Sequence, residues 1–168
     1  MKGLTIYRVL TFILLPVATF LGVIAFFGLL AALVNPTLLM GIFIIACVVI
    51  YTFTSFRFLN KGIEQGQPCK PGLKDWIRVN AFGSLVFIFM CFLQFYYILT
   101  EPALLNTAMQ QALAMQNNSA AASPELMVKV MKGTLYVMLG FTVLLLIHIV
   151  FSFYFLKVYN HLFNSKQE

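Results

Sequence analysis

The sequence predicts an all-α, polytopic membrane protein in which four transmembrane helices form two antiparallel hairpins. Residues 9–56 contain no charged side chain, and two further uncharged runs cover 79–100 and 133–156. A helical crossing needs about 20 apolar residues, so the first run is long enough for two crossings and each later run for one. Only 10% of the 168 residues are charged and 61% are hydrophobic, whereas soluble domains have about 25% charged residues.

Turn residues divide the chain into one four-helix transmembrane domain, 1–168. Asn35-Pro36 interrupts the first run, because proline cannot continue a helical hydrogen-bond ladder and disfavours a helical conformation in the residue before it. Glu101-Pro102 ends the third span in the same way. The predicted segments are spans 9–34, 37–58, 76–99 and 134–156, an inner loop 59–75 and an outer segment 100–133.

The outer segment carries two further signals. Apolar residues on one helical face predict a short helix lying on the membrane surface: Leu105, Met109, Ala112 and Leu113. Ser123-Pro124-Glu125 has the features of a helix start, with an N-cap, a proline at the first helical position and an acid in the first turn. The fourth helix is therefore predicted to begin near Pro124, before its span.

The distribution of cations predicts that both termini face the cytoplasm. The inner side then holds nine cations, Lys2, Arg8, Arg57, Lys61, Lys70, Lys74, Arg78, Lys157 and Lys166, against Lys129 and Lys132 outside. We expect the bacterial inner (plasma) membrane, with anionic lipid headgroups attracted to the inner face. The net charge of +6 does not indicate nucleic acid as a partner, because the cations lie at helix ends rather than on a basic face.

Similar residues at the inner boundaries raise the hypothesis of an internal tandem repeat. Arg8-Val9-x-x-Phe12-x-x-Leu15 matches Arg78-Val79-x-x-Phe82-x-x-Leu85, and Ser55-Phe56-Arg57-Phe58-Leu59 matches Ser152-Phe153-Tyr154-Phe155-Leu156. Two parallel hairpins related by an axis along the membrane normal would produce this pattern. Chance is the alternative, because Phe, Leu and Val are abundant and Arg is expected at any inner boundary.

His148 is the only histidine in a predicted span and the centre of a predicted polar cluster. At 1.5 Å per residue it lies about 13 Å from the inner boundary at Lys157. Polar side chains at similar depth are expected to form an intramembrane cluster with it: Tyr51, Thr52, Ser55, Asn80, Ser84 and Ser152. One interpretation is a neutral histidine that ties helices together, and the other is a proton-handling or ligand-binding group.

Several kinds of chemistry lack a sequence signal. No Asp, Glu, Lys or Arg lies inside a predicted span, which disfavours proton-coupled antiport, voltage sensing and a carboxylate ion site. Ser84 with His148 could make a serine–histidine dyad, but Phe82-Gly83-Ser84-Leu85 lacks the surroundings of such a nucleophile. Cys47, Cys69 and Cys91 have no metal-ligand spacing. We therefore predict no enzyme, no cofactor, no metal and no catalytic residue.

Two classes of function stay open. The first is a non-catalytic assembly, accessory or scaffold protein that acts through helix packing, alone, as a homo-oligomer or with another membrane protein. The second is a small oligomeric transporter or channel with the His148 cluster along its path. A water-accessible cleft with polar walls at the level of His148 would favour transport, and a dry packed core would favour the first class. The number of spans itself transfers no function.

Overall fold

The all-α prediction is confirmed by a computed structural model, which describes residues 2–100, 107 and 124–163. Three short helical segments flank the long helices: a 3₁₀ turn at Pro36–Leu38, a π-helix at Phe58–Glu64 and a 3₁₀ turn at Asn160–Phe163. The four long helices are α1 Lys2–Ala32, α2 Leu39–Arg57, α3 Pro71–Thr100 and α4 Pro124–Val158.

Four helical stretches of 29 or 30 residues, one for each long helix, are long and apolar enough to cross a membrane. At 1.5 Å per residue such a stretch extends about 45 Å, the thickness of a bilayer with its headgroups. Large apolar side chains are exposed along all four helices, as with Phe20, Phe43, Phe82 and Tyr136. A surface this apolar is stable in lipid and not in water.

The turn between α1 and α2 forms where the sequence predicts it. Asn35 Oδ1 accepts hydrogen bonds from the backbone N–H of Thr37 at 3.2 Å and from its hydroxyl at 2.6 Å. Pro36 begins the short 3₁₀ turn, where its missing N–H costs nothing. The Asn-Pro pair therefore supplies both the break in α1 and the cap of the next helical segment.

The inner loop is shorter than the predicted 59–75. Helical structure continues from α2 to Glu64, and α3 begins at Pro71 rather than at residue 76. Likewise α1 begins at Lys2 rather than at residue 9. The first charged residue marks where a span leaves hydrocarbon, and a helix can continue past that point into the headgroup region. Gly66, with a φ of 62°, adopts the left-handed conformation that commonly ends a helix.

The fourth helix begins at Pro124, as predicted. Its proposed N-cap Ser123, the predicted surface helix around Leu105–Leu113 and most of the outer segment lie outside the described residues.

The chain divides into two compact units. Unit 1 comprises Met1–Ile88 with Leu144–Glu168, and unit 2 comprises Phe89–Val143. In unit 2 the rings of Phe95 and Tyr136 meet edge to face at 6.2 Å. The sequence gives no sign of the division because α3 and α4 each run through it without a change in composition.

Unit 1 supports the register of the tandem repeat. The ring of Phe12 contacts that of Phe56 at 6.0 Å, and at the matching positions the ring of Phe82 contacts that of Phe153 at 6.1 Å. Buried positions in α1 and α3 recur 70 residues apart: Tyr7 and Ile77, Leu10 and Asn80, Thr11 and Ala81, Leu14 and Ser84, Ala18 and Ile88. Between α2 and α4 they recur 97 residues apart: Val48 and Leu145, Tyr51 and His148, Thr52 and Ile149, Ser55 and Ser152. The repeat stays a prediction. The ring contacts and the buried positions both agree with offsets of 70 residues between α1 and α3 and 97 residues between α2 and α4.

Candidate functional site

His148 lies at the centre of a buried polar network in unit 1. Its Nε2 is 2.9 Å from Thr11 Oγ1 on α1, and its Nδ1 is 2.7 Å from the Tyr51 hydroxyl on α2. The Tyr51 hydroxyl is in turn 2.8 Å from Ser152 Oγ, one turn along α4 from His148. None of these four side chains is more than 1% exposed. The network therefore connects α1, α2 and α4 through polar atoms that water does not reach.

Tyr7 is the fifth member of the network and contacts His148 through its ring. Its ring stacks on the His148 imidazole with centroids 4.7 Å apart and 15° between the planes. The Tyr7 hydroxyl also lies 3.2 Å from Ser152 Oγ. We define the polar network as Tyr7, Thr11, Tyr51, His148 and Ser152.

The hydrogen bonds of the network fit a neutral imidazole. Thr11 donates its own proton to the Tyr7 carbonyl oxygen at 2.8 Å, so Thr11 Oγ1 accepts from His148 Nε2–H. His148 Nδ1 is then the acceptor for the Tyr51 hydroxyl, and the single proton of the Ser152 hydroxyl serves one of the two tyrosine oxygens within hydrogen-bond distance. Among the described residues no carboxylate contacts the ring, and an unpaired buried charge would cost several kcal/mol. The site accordingly holds its histidine uncharged.

Ser55 is the exception to this pairing. Its hydroxyl is fully buried. Even so, no described group forms a hydrogen bond with Ser55 Oγ.

The predicted cluster divides into two groups. Tyr51, His148 and Ser152 meet in the network, with Ser55 beside them. The other three side chains bond to carbonyls of their own helices: Thr52 Oγ1 donates to Val48 at 2.9 Å, Asn80 Nδ2 to Trp76 at 2.8 Å and Ser84 Oγ to Asn80 at 2.8 Å. Side chains satisfied in this way are buried without joining the network.

Tyr7 and Thr11 are the members that sequence reasoning missed. The predicted first span began after Arg8, so Tyr7 fell outside it. The signal was the spacing: Tyr7, Thr11, Leu14 and Ala18 lie on one face of a helix that starts before Arg8, and all four are fully buried. Arg8 tolerates this place because its Nε forms an ion pair with Glu64 Oε1 at 2.7 Å.

The arrangement can hold helices together through its hydrogen bonds. The Ser84 hydroxyl is bonded to Asn80 and the His148 ring to Thr11 and Tyr51, so the described residues contain no serine–histidine hydrogen bond. No group of three or more potential metal ligands occurs in the part of the chain that the structure describes. Neither of the two cavities lined by described residues includes a member of the network.

Comparison with known proteins adds no relative: no family model, no curated protein and no solved structure matches this chain.

Proposed function

We propose that this chain is a non-catalytic integral membrane protein that works through helix packing, as an assembly, accessory or scaffold protein. The observation that carries the proposal is the dry, hydrogen-bonded state of the polar network. Thr11, Tyr51, His148 and Ser152 are at most 1% exposed and bond to one another. Polar groups that bond to one another in this way are unavailable to a substrate or an ion.

The alternative, a small oligomeric transporter or channel, needs water at the level of His148. Proton or ion paths through membranes use ionisable side chains that face an aqueous cavity. His148 has 0% exposure, and its two ring nitrogens are both occupied. These observations favour the packing function over transport.

The same proposal includes the orientation and the membrane. We infer that both termini lie in the cytoplasm of a bacterial cell, at the inner (plasma) membrane. Support comes from the nine cations at one set of helix ends against two at the other. Membrane lipids, anionic headgroups at the inner face and either a second copy or another membrane protein are the expected partners.

Gly41 and Gly140 offer surface for such a partner, whereas Gly22 and Gly28 serve packing within the chain. A methyl group added to Gly22 would lie 3.5 Å from Val49, and one added to Gly28 would lie 3.2 Å from Ile42. Gly41 and Gly140 have no described atom within 4 Å of the position of an added methyl group. Small residues that face outward allow the close approach of another helix.

The test is purification in a mild detergent after cross-linking in cells, followed by mass spectrometry of the complex. We expect a stoichiometric protein partner that is lost from Gly41→Leu or Gly140→Leu, whereas the fold of these variants persists. His148→Phe, where it still folds, should keep the partner. A protein that stays monomeric in native membranes and moves ions or solutes across vesicles in a His148-dependent way would refute the proposal.

A further inference from the structure

A cavity of about 590 Å³ lies at the inner end of unit 1, away from the polar network. Its walls come from the end of α2, the π-helix, the loop Gln65–Lys70 and the first turns of α3. This volume is within the range of about 300–1,000 Å³ that small-molecule sites occupy.

Three cations from three different segments line this cavity. Arg57 is the last residue of α2, Lys61 lies in the π-helix and Lys70 immediately precedes α3. None of the described residues that line the cavity is acidic. The ion pair that the structure records is Arg8 with Glu64, so none of the three cations is paired with a carboxylate of the described residues. The first turn of α3 also lines the cavity, with Gly72 and Leu73. The positive end of the dipole of this long helix therefore lies at the cavity wall.

The backbone around the cavity is held in place by specific contacts. The backbone N–H of Cys69 donates to the Leu162 carbonyl at 2.8 Å, and the rings of Phe58 and Phe163 stack at 5.4 Å. Gly62 allows the π-helix to approach the loop, because an added methyl group would lie 3.0 Å from Cys69 Sγ. π-helices are rare and occur frequently at functional sites. The cations thus come from segments fixed to one another.

Two large aromatic side chains line another part of the cavity. Phe53 on α2 and Trp76 on α3 line the cavity and are 44% and 58% exposed. Trp at the edge of a span marks the level of the lipid headgroups. A ligand with an anionic phosphate and an attached apolar chain would match the cationic and the apolar walls together.

We propose that this cavity is a binding site for the phosphate headgroup of an acidic phospholipid, with its acyl chain against Phe53 and Trp76. General attraction of cations to an anionic surface predicts scattered charges and no cavity. Here Arg57, Lys61 and Lys70 converge on a single cavity, whereas Arg78 and Lys157 do not line it. The inference is independent of the packing function proposed above.

Trp76 is the only tryptophan of the chain, so its fluorescence reports the site directly. The full-length protein is reconstituted in phosphatidylcholine vesicles that contain increasing fractions of a phosphatidylglycerol with brominated chains, which quench tryptophan on contact. Brominated phosphatidylcholine serves as the matched lipid. We expect phosphatidylglycerol to quench at a several-fold lower mole fraction, and R57Q, K61Q and K70Q each to reduce this preference about fivefold.

The control variant is K157Q, which removes an inner cation outside the cavity and should leave the preference within about twofold. Each cation is replaced singly, and the variants compared are those that keep the wild-type elution volume and melting midpoint. Relief of quenching by inorganic phosphate would assign the anion site to a soluble phosphate in place of a lipid. Equal quenching by the two lipids, or the same loss in K157Q as in the cavity variants, would overturn the site.

Discussion

Tyr51 and His148 occupy equivalent positions in the two halves of the chain, 97 residues apart in the repeat register, and their side chains meet at 2.7 Å. Two equivalent residues can touch only close to the axis that relates the halves. Each is fully buried, and each lies one turn before a buried serine, Ser55 or Ser152. If the chain arose by duplication, these two positions diverged into a phenol and an imidazole that bond to each other.

The first prediction concerns the hydrogen bonds of His148. His148→Leu leaves the Tyr51 hydroxyl without its acceptor in a site without water, so we expect a loss of about 1–3 kcal/mol in stability. His148→Phe should lose a similar amount while it retains the ring stacked on Tyr7. The measurement is the midpoint of thermal denaturation in detergent, followed by size-exclusion chromatography.

The matched control is His161→Leu, because His161 is the only other histidine and is exposed. Its midpoint should stay at the wild-type value. A His148→Leu variant as stable as wild type would mean that the network contributes little to the packing of α1, α2 and α4.

The second prediction concerns the approach of α2 and α3 at Gly83. A methyl group at Gly83 would lie 2.6 Å from both Cβ and Sγ of Cys47, which is closer than real contacts allow. Gly83→Ala should therefore destabilise the protein by about 1–3 kcal/mol, although alanine is the better helix former. Denaturation in detergent measures it.

Gly140→Ala provides the comparison, since no described atom lies within 4 Å of its added methyl group. It should be neutral or slightly stabilising. The double variant Cys47→Gly with Gly83→Ala restores the space and should recover part of the loss. Equal stability of Gly83→Ala and wild type would contradict the close packing.

The number of helices, the first turn and the centre of the polar network could be predicted from sequence because each depends on local chemistry. Uncharged length determines the spans, Asn35-Pro36 determines the turn, and an imidazole in hydrocarbon needs partners. The inner ends could not be placed, because the first charged residue, Arg57, marks a change of solvent and helical structure continues beyond it to Glu64. The partners of His148 depend on how helices rotate, which explains why Tyr7 and Thr11 joined the network and Asn80 and Ser84 did not.

The third prediction uses Cys69, which lies between the inner ends of two spans. Burial raises the pKa of its thiol, and the charges of Arg57 and Lys61 partly lower it. A raised pKa means less thiolate at neutral pH, so alkylation should be slow and its rate should still increase beyond pH 9. Arg57→Gln removes a charge that favours the thiolate, which raises the pKa further and slows the reaction at a given pH.

This experiment is done in a variant with Cys47 and Cys91 replaced by alanine, and Arg78→Gln is the control for the loss of a distant cation. A membrane-impermeant thiol reagent should label Cys69 only from the cytoplasmic side. Labelling from outside intact cells would invert the proposed orientation, and a rate that reaches its plateau below pH 9 would contradict the raised pKa.

The fourth prediction concerns the end of the π-helix. Gly66 has a φ of 62°, and the backbone N–H of Gln67 donates to the Lys61 carbonyl at 3.0 Å across it. A side chain in this left-handed conformation costs about 1–2 kcal/mol, so Gly66→Val should lower the melting midpoint and Gly66→Asn should lower it less. Gly72→Val is the comparison without this conformation, because Gly72 lies in the first turn of α3 with no positive φ and open space around it.

The fifth prediction tests the duplication through tolerance to substitution. If α1 with α2 and α3 with α4 are copies, then a lysine should be tolerated or rejected alike at equivalent positions, because its burial and its depth in the membrane together decide its cost. Tyr51 and His148, or Val48 and Leu145, should both reject it. Partners on the exposed side, such as Phe12 and Phe82, should both tolerate it better.

The measurement is the amount of folded protein from a scan of lysine substitutions across the four helices. The correlation between the halves should be highest at offsets of 70 for α1 with α3 and 97 for α2 with α4. Shifts of three or four residues from these offsets are the internal control, because any two amphipathic helices give some correlation there. If those shifted offsets correlate as well as 70 and 97 do, the matched burial reflects helical periodicity alone, and the duplication loses its support.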